Sequence, residues 1–316
     1  VAKLVIVGLG YTGLSLALAL RPSRLFDEIA GCDADRGRLR LARERGAIDQ
    51  ESHSAAEAAA GAAVVVLAVS SAGLEDALAN VAPALAPGAV VTDTSRWKAP
   101  AQALAERLLG PEAHFAGGRP VLDQAGAGPE SASADAFRGA LYCLTPSASA
   151  SQAAVDAVSA LASAAGAQPY FLSPEEHDAL TAAGELLPPA FVAALVLGLT
   201  RDPGWTNAGR LAGPRLREAA QLTRALDGAF WQEAAHNAPA LARWLDVAAA
   251  ALLDLRDRVQ AQDPQLSLDW HAAREALDRW QRDKRQLQQP TMPPASELKP
   301  RLFGTPLSRR GGRGSG

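Results

Sequence analysis

The sequence predicts a doubly wound α/β domain followed by an all-helical one, and three observations carry that prediction. Short β-branched runs alternate with alanine-rich stretches from residue 3 to about 172, a glycine-rich turn follows the first run, and strand-like runs stop after residue 172. The expected strands are 3–7, 28–32, 63–68, 89–92, 113–116, 140–144 and 168–172. Between them, helices should begin near Tyr11, Arg36, Gly73, Ala99 and Ser151, each with apolar residues three and four apart. Parallel strands joined by crossover helices produce this alternation.

Beyond residue 172, Ser173-Pro174-Glu175-Glu176 reads as a capping box. Ser173 is the N-cap, Pro174 takes the first helical position and Glu176 reaches back. A long helix should follow, through about Leu199. Two further stripes recur at helical spacing: Leu241, Leu245, Ala248, Leu252, Leu255 and Val259, then Trp270, Ala273, Leu277, Trp280 and Leu287 with a gap at Lys284. Such stripes need a partner, either another helix of the same chain or a second subunit. The segment from Pro290 carries five prolines and ends in Arg309-Arg310-Gly311-Gly312-Arg313-Gly314. With almost nothing apolar to bury, it is expected to be a disordered, solvated end. The expected domains are therefore 1–172, 173–289 and a 290–316 tail.

Composition narrows the function class. With 316 residues, 48% of them hydrophobic, the chain can build two cores. A net charge of -3 gives no electrostatic reason to expect nucleic acid as a partner. Cys32 and Cys143 lie in apolar runs far apart, the pattern of buried thiols in a reducing cytoplasm. No uninterrupted apolar stretch of about 20 residues is evident, and the first hydrophobic run leads straight into a glycine turn, so neither a membrane span nor a secretory signal is expected. His53, His114, His236 and His271 show no metal spacing, and no metal is expected.

The sharpest local signal is Gly8-Leu9-Gly10-Tyr11-Thr12-Gly13, placed between an expected strand and an expected helix. Gly8 permits a tight turn, Gly10 lets backbone approach a pyrophosphate, and Gly13 lets helix and strand pack closely, while the helix N-terminus offers amides and a positive dipole end. Asp33 lies 20 residues past Gly13, where a carboxylate accepts from ribose hydroxyls. These residues predict a dinucleotide site of Rossmann type for NAD, with Arg36 close enough to leave NADP open. Ser70-Ser71 and Asp93-Thr94-Ser95, at the ends of later strands, are expected to line the nicotinamide half of the crevice.

With those residues in view, the sequence resembles the prephenate and arogenate dehydrogenase family from residue 3 to about 200, with a fainter echo to about 245. The resemblance runs in order through Gly8–Leu20, Gly46-Ala47-Ile48-Asp49, Val91-Thr92-Asp93 with Lys98, Gly117-Gly118 with Pro120, Ala136–Tyr142 with Leu144-Thr145-Pro146, and Pro174–Asp178. It implies a Rossmann-like doubly wound parallel sheet followed by an all-helical dimerisation domain, and therefore a homodimer through the C-terminal helices. The implied reaction, on the path to tyrosine, moves a hydride from the substrate's carbinol carbon to NAD(P) while carbon dioxide leaves. Such a site needs a proton acceptor, a cation for the side-chain carboxylate and a nicotinamide at attack distance.

Several positions depart from the family's blocks. Arg119 stands where the resemblance implies a histidine, and arginine cannot accept a proton near neutrality. Glu185-Leu186-Leu187-Pro188-Pro189 replaces a block with two histidines, and Ser95-Arg96 replaces a glycine-serine pair. The family's threonine-arginine pair falls at Ala220-Gln221 in one alignment and at Thr223-Arg224 in another. Two readings stay open. In one, the chain is a dehydrogenase acting on prephenate, arogenate or another small anion, gripped by Arg96 and Arg119, with Glu185 or His177 handling protons. In the other it is a catalytically degenerate homologue that binds NAD as a sensor.

Overall fold

A computed structural model describes residues 2–287 except 124–127, 148, 149 and 227. The expected tail from 290 onward lies outside the described residues. The chain divides into two compact units, one drawn from Val1–Ser173 and the other from Pro174–Lys284.

The first unit is built on an eight-stranded sheet: β1 (Lys3–Val7), β2 (Glu28–Cys32), β3 (Gln50–Ser52), β4 (Val64–Leu67), β5 (Val90–Asp93), β6 (His114–Pro120), β7 (Leu141–Pro146) and β8 (Gln168–Phe171). Their spatial order is β3-β2-β1-β4-β5-β6-β7-β8. Helices α1 (Tyr11–Leu20), α2 (Arg36–Glu44), α3 (Ala55–Ala59), α4 (Leu74–Val81), α5 (Lys98–Leu108) and α6 (Gln152–Ala164) make the connections. Strand β1 shows why the sheet is covered on both faces. Leu4 and Ile6 enter one core while Val5 and Val7 enter another, because side chains alternate across the pleat. Each such side chain contributes roughly 1.5–3 kcal/mol by leaving water. Since β1 pairs with β2 on one side and β4 on the other, the order reverses between β1 and β4, and a crevice opens at their carboxyl ends.

Two features differ from the sequence expectation. Strand β3 and helix α3 are absent from it; β3 is three largely exposed polar residues, so no hydrophobic pattern marks it. Strand β7 runs antiparallel to β6 rather than parallel. Among the described residues the 121–140 connection holds only a 3-10 turn, Pro129–Ser131, and no crossover helix, so the chain returns along the same edge.

The second unit is helical among its described residues. It comprises α7 (Pro174–Thr181), a π-helical turn (Ala182–Leu186), α8 (Leu187–Arg201), α9 (Trp205–Leu211), α10 (Pro214–Ala220), a 3-10 turn (Gln221–Ala225), α11 (Gly228–Ala235), α12 (Ala238–Gln260) and α13 (Leu266–Leu287), the last ending just past the unit boundary. The expected long helix is thus interrupted. Pro188 and Pro189 have no N–H to donate one turn back, and the helix widens immediately before them. Just ahead of the widened turn, Asn237 Nδ2 donates to Asp178 O at 2.6 Å and Trp244 Nε1 to Ala179 O at 2.9 Å. The run Pro174–Arg201 reaches the length and apolar composition of a membrane span, which corrects the expectation that no stretch does; 22% of its most apolar window is buried in the chain. Continuity through the π turn supplies the length that a count of uninterrupted apolar residues misses.

Of the two predicted stripes, Leu241 is buried, whereas Leu252, Val259, Trp270, Leu277 and Trp280 are exposed. The side chain of Leu287 lies outside the described residues. A loop-closing network fastens α12 to α13: Arg258 Nε lies 2.7 Å from Asp263 Oδ2, and its Nη1 lies 2.6 Å from Asp269 Oδ2.

In the first unit, Arg21 at the end of α1 forms a two-pronged pair with Asp49 at 2.8 and 2.7 Å, and Asp49 also accepts from Ile29 N. The hydrogen bond from Arg21 holds the Asp49 carboxyl below the usual carboxylate range. Because the folded value is depressed, the pair's stabilisation is complete above the unfolded carboxylate pKa of about 4 and fades as pH falls through the folded value. The pair is partly exposed, so Asp49→Asn should cost only about 0.5–1 kcal/mol at pH 7. Urea unfolding at pH 7 and pH 3 checks this, and a difference that does not shrink at pH 3 contradicts it.

Candidate functional site

The glycine turn leaves β1 at the switch between β1 and β4. Gly8 has φ of 96°, and its N–H donates to Cys32 O at 2.7 Å. A Cβ there would lie 2.4 Å from Ala68 O, and one on Gly13 would lie 1.9 Å from Gly8 O. Both positions are therefore closed to any side chain. A Cβ on Gly10, in contrast, would have nothing within 4 Å. The first and third glycines thus serve packing, and the second faces open space where a ligand's phosphates can approach backbone. The first amides of α1, from Tyr11 on, have no acceptor within the helix and point the positive dipole end into that space.

The other residues of the motif divide by side. Leu9 and Tyr11 bury their side chains in the core, while Gly8, Gly10 and Thr12 are partly exposed. Asp33 at the end of β2 is buried and accepts Leu9 N at 2.7 Å through Oδ2 and Asp35 N at 2.9 Å through Oδ1. Each carboxylate oxygen has a second lone pair, so a ribose diol can still be accepted. The nearby cation is Arg38, 3.5 Å from Asp33, and not Arg36 as the sequence suggests. The two stand two residues apart on α2 and so point to different sides of the helix, and Arg36 instead lines an exposed groove with Arg40, Arg43, Glu51 and His53. Ser70 lies just past β4, where Ala68 and Val69 back the glycine turn; it is exposed and precedes the 3-10 turn Ser71–Gly73.

At the ends of β5 and β6 the structure corrects a second expectation. Asp93 and Ser95 do not line an open crevice: Asp93 is fully buried, and Ser95 Oγ donates to it. Lys98 Nζ, with its side chain fully buried, lies 2.5 Å from Asp93 Oδ2 and donates to Gly118 O at 2.9 Å. A buried carboxylate without such a cation would be unfavourable by several kcal/mol. Of the predicted anion-holding residues, Arg96 lies between the members of this pair in sequence and Arg119 follows Gly118; both are partly exposed. Arg119 faces Cys143 across β6 and β7. Burial raises the Cys143 thiol, and Arg119 and Lys98 pull against that rise; burial and then Asp33 push the Cys32 thiol up to about 11. Both thiols therefore stay protonated and unreactive near neutrality.

Tyr11 also borders an open cleft of about 500 Å³ lined by Val121, Asp123, Ser133, Asp135 and Arg138. Asp123 and Asp135 bring carboxylates to the sheet's carboxyl edge that the sequence reading did not single out, since no motif marks that loop.

His177 and Glu185 belong to the second unit. His177 is buried and its Nδ1 lies 2.8 Å from Asp178 Oδ1, a contact that orients the ring. Glu185 lies exposed on the π turn. Among the described residues no group of three His, Cys, Asp or Glu side chains is placed to hold a metal ion.

Fold and site together define a nucleotide-binding domain of doubly wound type joined to a helical unit. The family model for the nucleotide-binding domain of prephenate dehydrogenase matches residues 16–171. Prephenate dehydrogenase of Bacillus subtilis is 28% identical over 197 residues, covering 61% of this chain and 52% of that protein. That of Lactococcus lactis subsp. cremoris is 31% identical over 145 residues, covering 45% and 40%. The matches thus span about half or less of these relatives' length. Two solved structures share the fold. The Aquifex aeolicus prephenate dehydrogenase in complex with hydroxyphenyl propionate and NAD+ has a TM-score of 0.76 at 22% identity, covering 88% of this chain and 98% of that one. Synechocystis arogenate dehydrogenase has a TM-score of 0.79 at 24% identity, covering 88% and 99%. Residues 16–171 are thus a nucleotide-binding domain of the prephenate dehydrogenase family.

The contrast among glycines gives a test. Gly10→Ala should leave stability within about 0.5 kcal/mol of wild type, since nothing crowds the site, yet weaken dinucleotide binding at least tenfold. Gly13→Ala should destabilise the domain itself. Thermal unfolding with and without NAD separates the two, and a Gly10→Ala protein that still gains the full NAD-induced shift would refute the cradle.

Proposed function

We propose that this chain is an NAD-dependent oxidoreductase of the prephenate or arogenate dehydrogenase type, acting on a small anionic substrate as a cytoplasmic homodimer. The observation that carries the reading is the cradle: Gly10 open to solvent at the β1–β4 switch, with Asp33 held in place beside it by Leu9 N. Bound NAD would supply the hydride acceptor. Gly8, Gly10, Thr12 and Gly13 form its phosphate turn, Leu9 and Tyr11 support that turn from the core, Asp33 takes the ribose and Ser70 borders the crevice. A 2'-phosphate would meet Asp33 as a like charge, so NADP would be accepted only if Arg38 turned from Asp33 toward the phosphate.

Arg119 and Arg96 are assigned to the substrate's carboxylates, because a guanidinium stays charged and can hold a carboxylate through paired N–H groups. Neither can accept the carbinol proton, which falls to a carboxylate or imidazole such as Glu185 or His177. The exposed stripe on α12 and α13, with Trp270, Leu277 and Trp280, supports a second copy of the chain as its partner. The buried free thiols Cys32 and Cys143 suit a reducing compartment. Arginine at 119 also favours a second reading, a homologue that binds NAD and an anion without turnover.

The deciding experiment mixes the protein with NAD and either prephenate or arogenate and follows NADH, with NAD binding measured in the same sample. NADH should appear, and Arg119→Ala should raise KM at least tenfold with NAD affinity unchanged. NAD binding without NADH would instead establish the non-catalytic reading, and Arg119→His would then test whether a base restores turnover. For assembly, sedimentation should give a dimer that Trp280→Glu weakens; a wild-type monomer at micromolar concentration would exclude this interface.

A further inference from the structure

We infer that Lys98 is a positioning residue, which together with Asp93 fixes the backbone from which Arg119 projects and so sets the anion affinity of the site. The inference rests on the assignment of Arg119 to a substrate carboxylate. Its basis is a break in the sheet. The parallel ladder between β5 and β6 is confined to Val90 with His114 and Val91 with Phe115, after which β6 pairs with β7. Past that point, Asp93 and Lys98 replace the ladder. Gly118 N donates to Asp93 Oδ1 at 3.2 Å, and Gly118 O accepts from Lys98 Nζ at 2.9 Å. Both backbone polar groups of the residue before Arg119 are therefore held by one buried ion pair.

Close packing makes that hold rigid. A Cβ on Gly118 would lie 2.6 Å from the Tyr142 ring and 2.9 Å from Thr92 Oγ1, so the strand sits against these side chains with no slack. Ser95 N also donates to Asp93 Oδ2 at 3.1 Å, which ties the segment leading to Arg96 to the same carboxylate. The two cationic positions share one anchor, and displacing it moves both. A shift of about 1 Å in such a constellation is enough to cost a large factor in function.

The test is a double-mutant cycle read by calorimetric binding of hydroxyphenyl propionate, a ring-bearing carboxylate, to the NAD-loaded full chain. Lys98→Met should weaken the probe about tenfold while NAD affinity stays within about twofold, and in an Arg119→Ala background the same change should cost less than about twofold. Lys98→Met leaves Asp93 buried without its cation, so Asp93→Asn combined with Lys98→Met provides a variant without a lone buried charge and carries the same expectations. Equal costs in both backgrounds, or NAD affinity falling in step with probe affinity, would overturn the positioning role alone. A wild-type protein that binds NAD but not the probe would overturn the assignment of Arg119 and this inference together.

Discussion

The architecture of the nucleotide-binding unit depends on one close approach, that of the first turn of α1 to the ends of β1 and β4. Gly13 and Gly8 pack so tightly that even a methyl group at either position would overlap backbone oxygen. This contact fixes where α1 begins, and hence where its unpaired amides and dipole point. It also fixes Leu9, whose buried side chain and Asp33-bound amide join β1 to β2. Relaxing the contact would move the phosphate turn and the acidic residue together, so binding geometry and core packing are one constraint at this point.

Buried charge follows a similar economy. Asp33 is satisfied by backbone amides, and Asp93 by Lys98 and Ser95. Neither carboxylate is left alone in low dielectric, where an unpaired charge is far less favourable than a paired one. The two differ in what remains accessible. Asp33 is satisfied mainly by fixed amides at the rim of the crevice, whereas Asp93 and Lys98 are enclosed among Trp97, Tyr142 and Thr92 and act on the surface only through the strands they hold.

Much of this was legible in the sequence where pattern and physics coincide. Strands 3–7 and 28–32 were readable because their residues are apolar on both faces, and the glycine turn because steric need selects glycine. Strand β3 was not, since three exposed polar residues at a sheet edge carry no periodic signal. The reversal at β7 was also hidden, because strand direction is set by the path of the connection and leaves no mark on the strand's composition. Asp93 falls outside the open crevice for a related reason: spacing puts it at the end of a strand, but only the fold reveals that Lys98, the first residue of α5, reaches back to it. The same limit explains Arg36 and Arg38, which proximity in sequence could not rank.

Position 119 shows why a family fold and a family reaction can separate. Its neighbours are held without help from its own side chain: Gly118 by Asp93 and Lys98, and the strand as a whole by antiparallel pairing with β7. The backbone at this position is thus held by groups other than the side chain of residue 119. What the side chain there sets is chemistry: a guanidinium can bind an oxyanion but cannot take a proton near neutrality. The shared architecture thus accounts for nucleotide binding more directly than for any particular proton transfer, which depends on individual side chains and not on the framework that carries them.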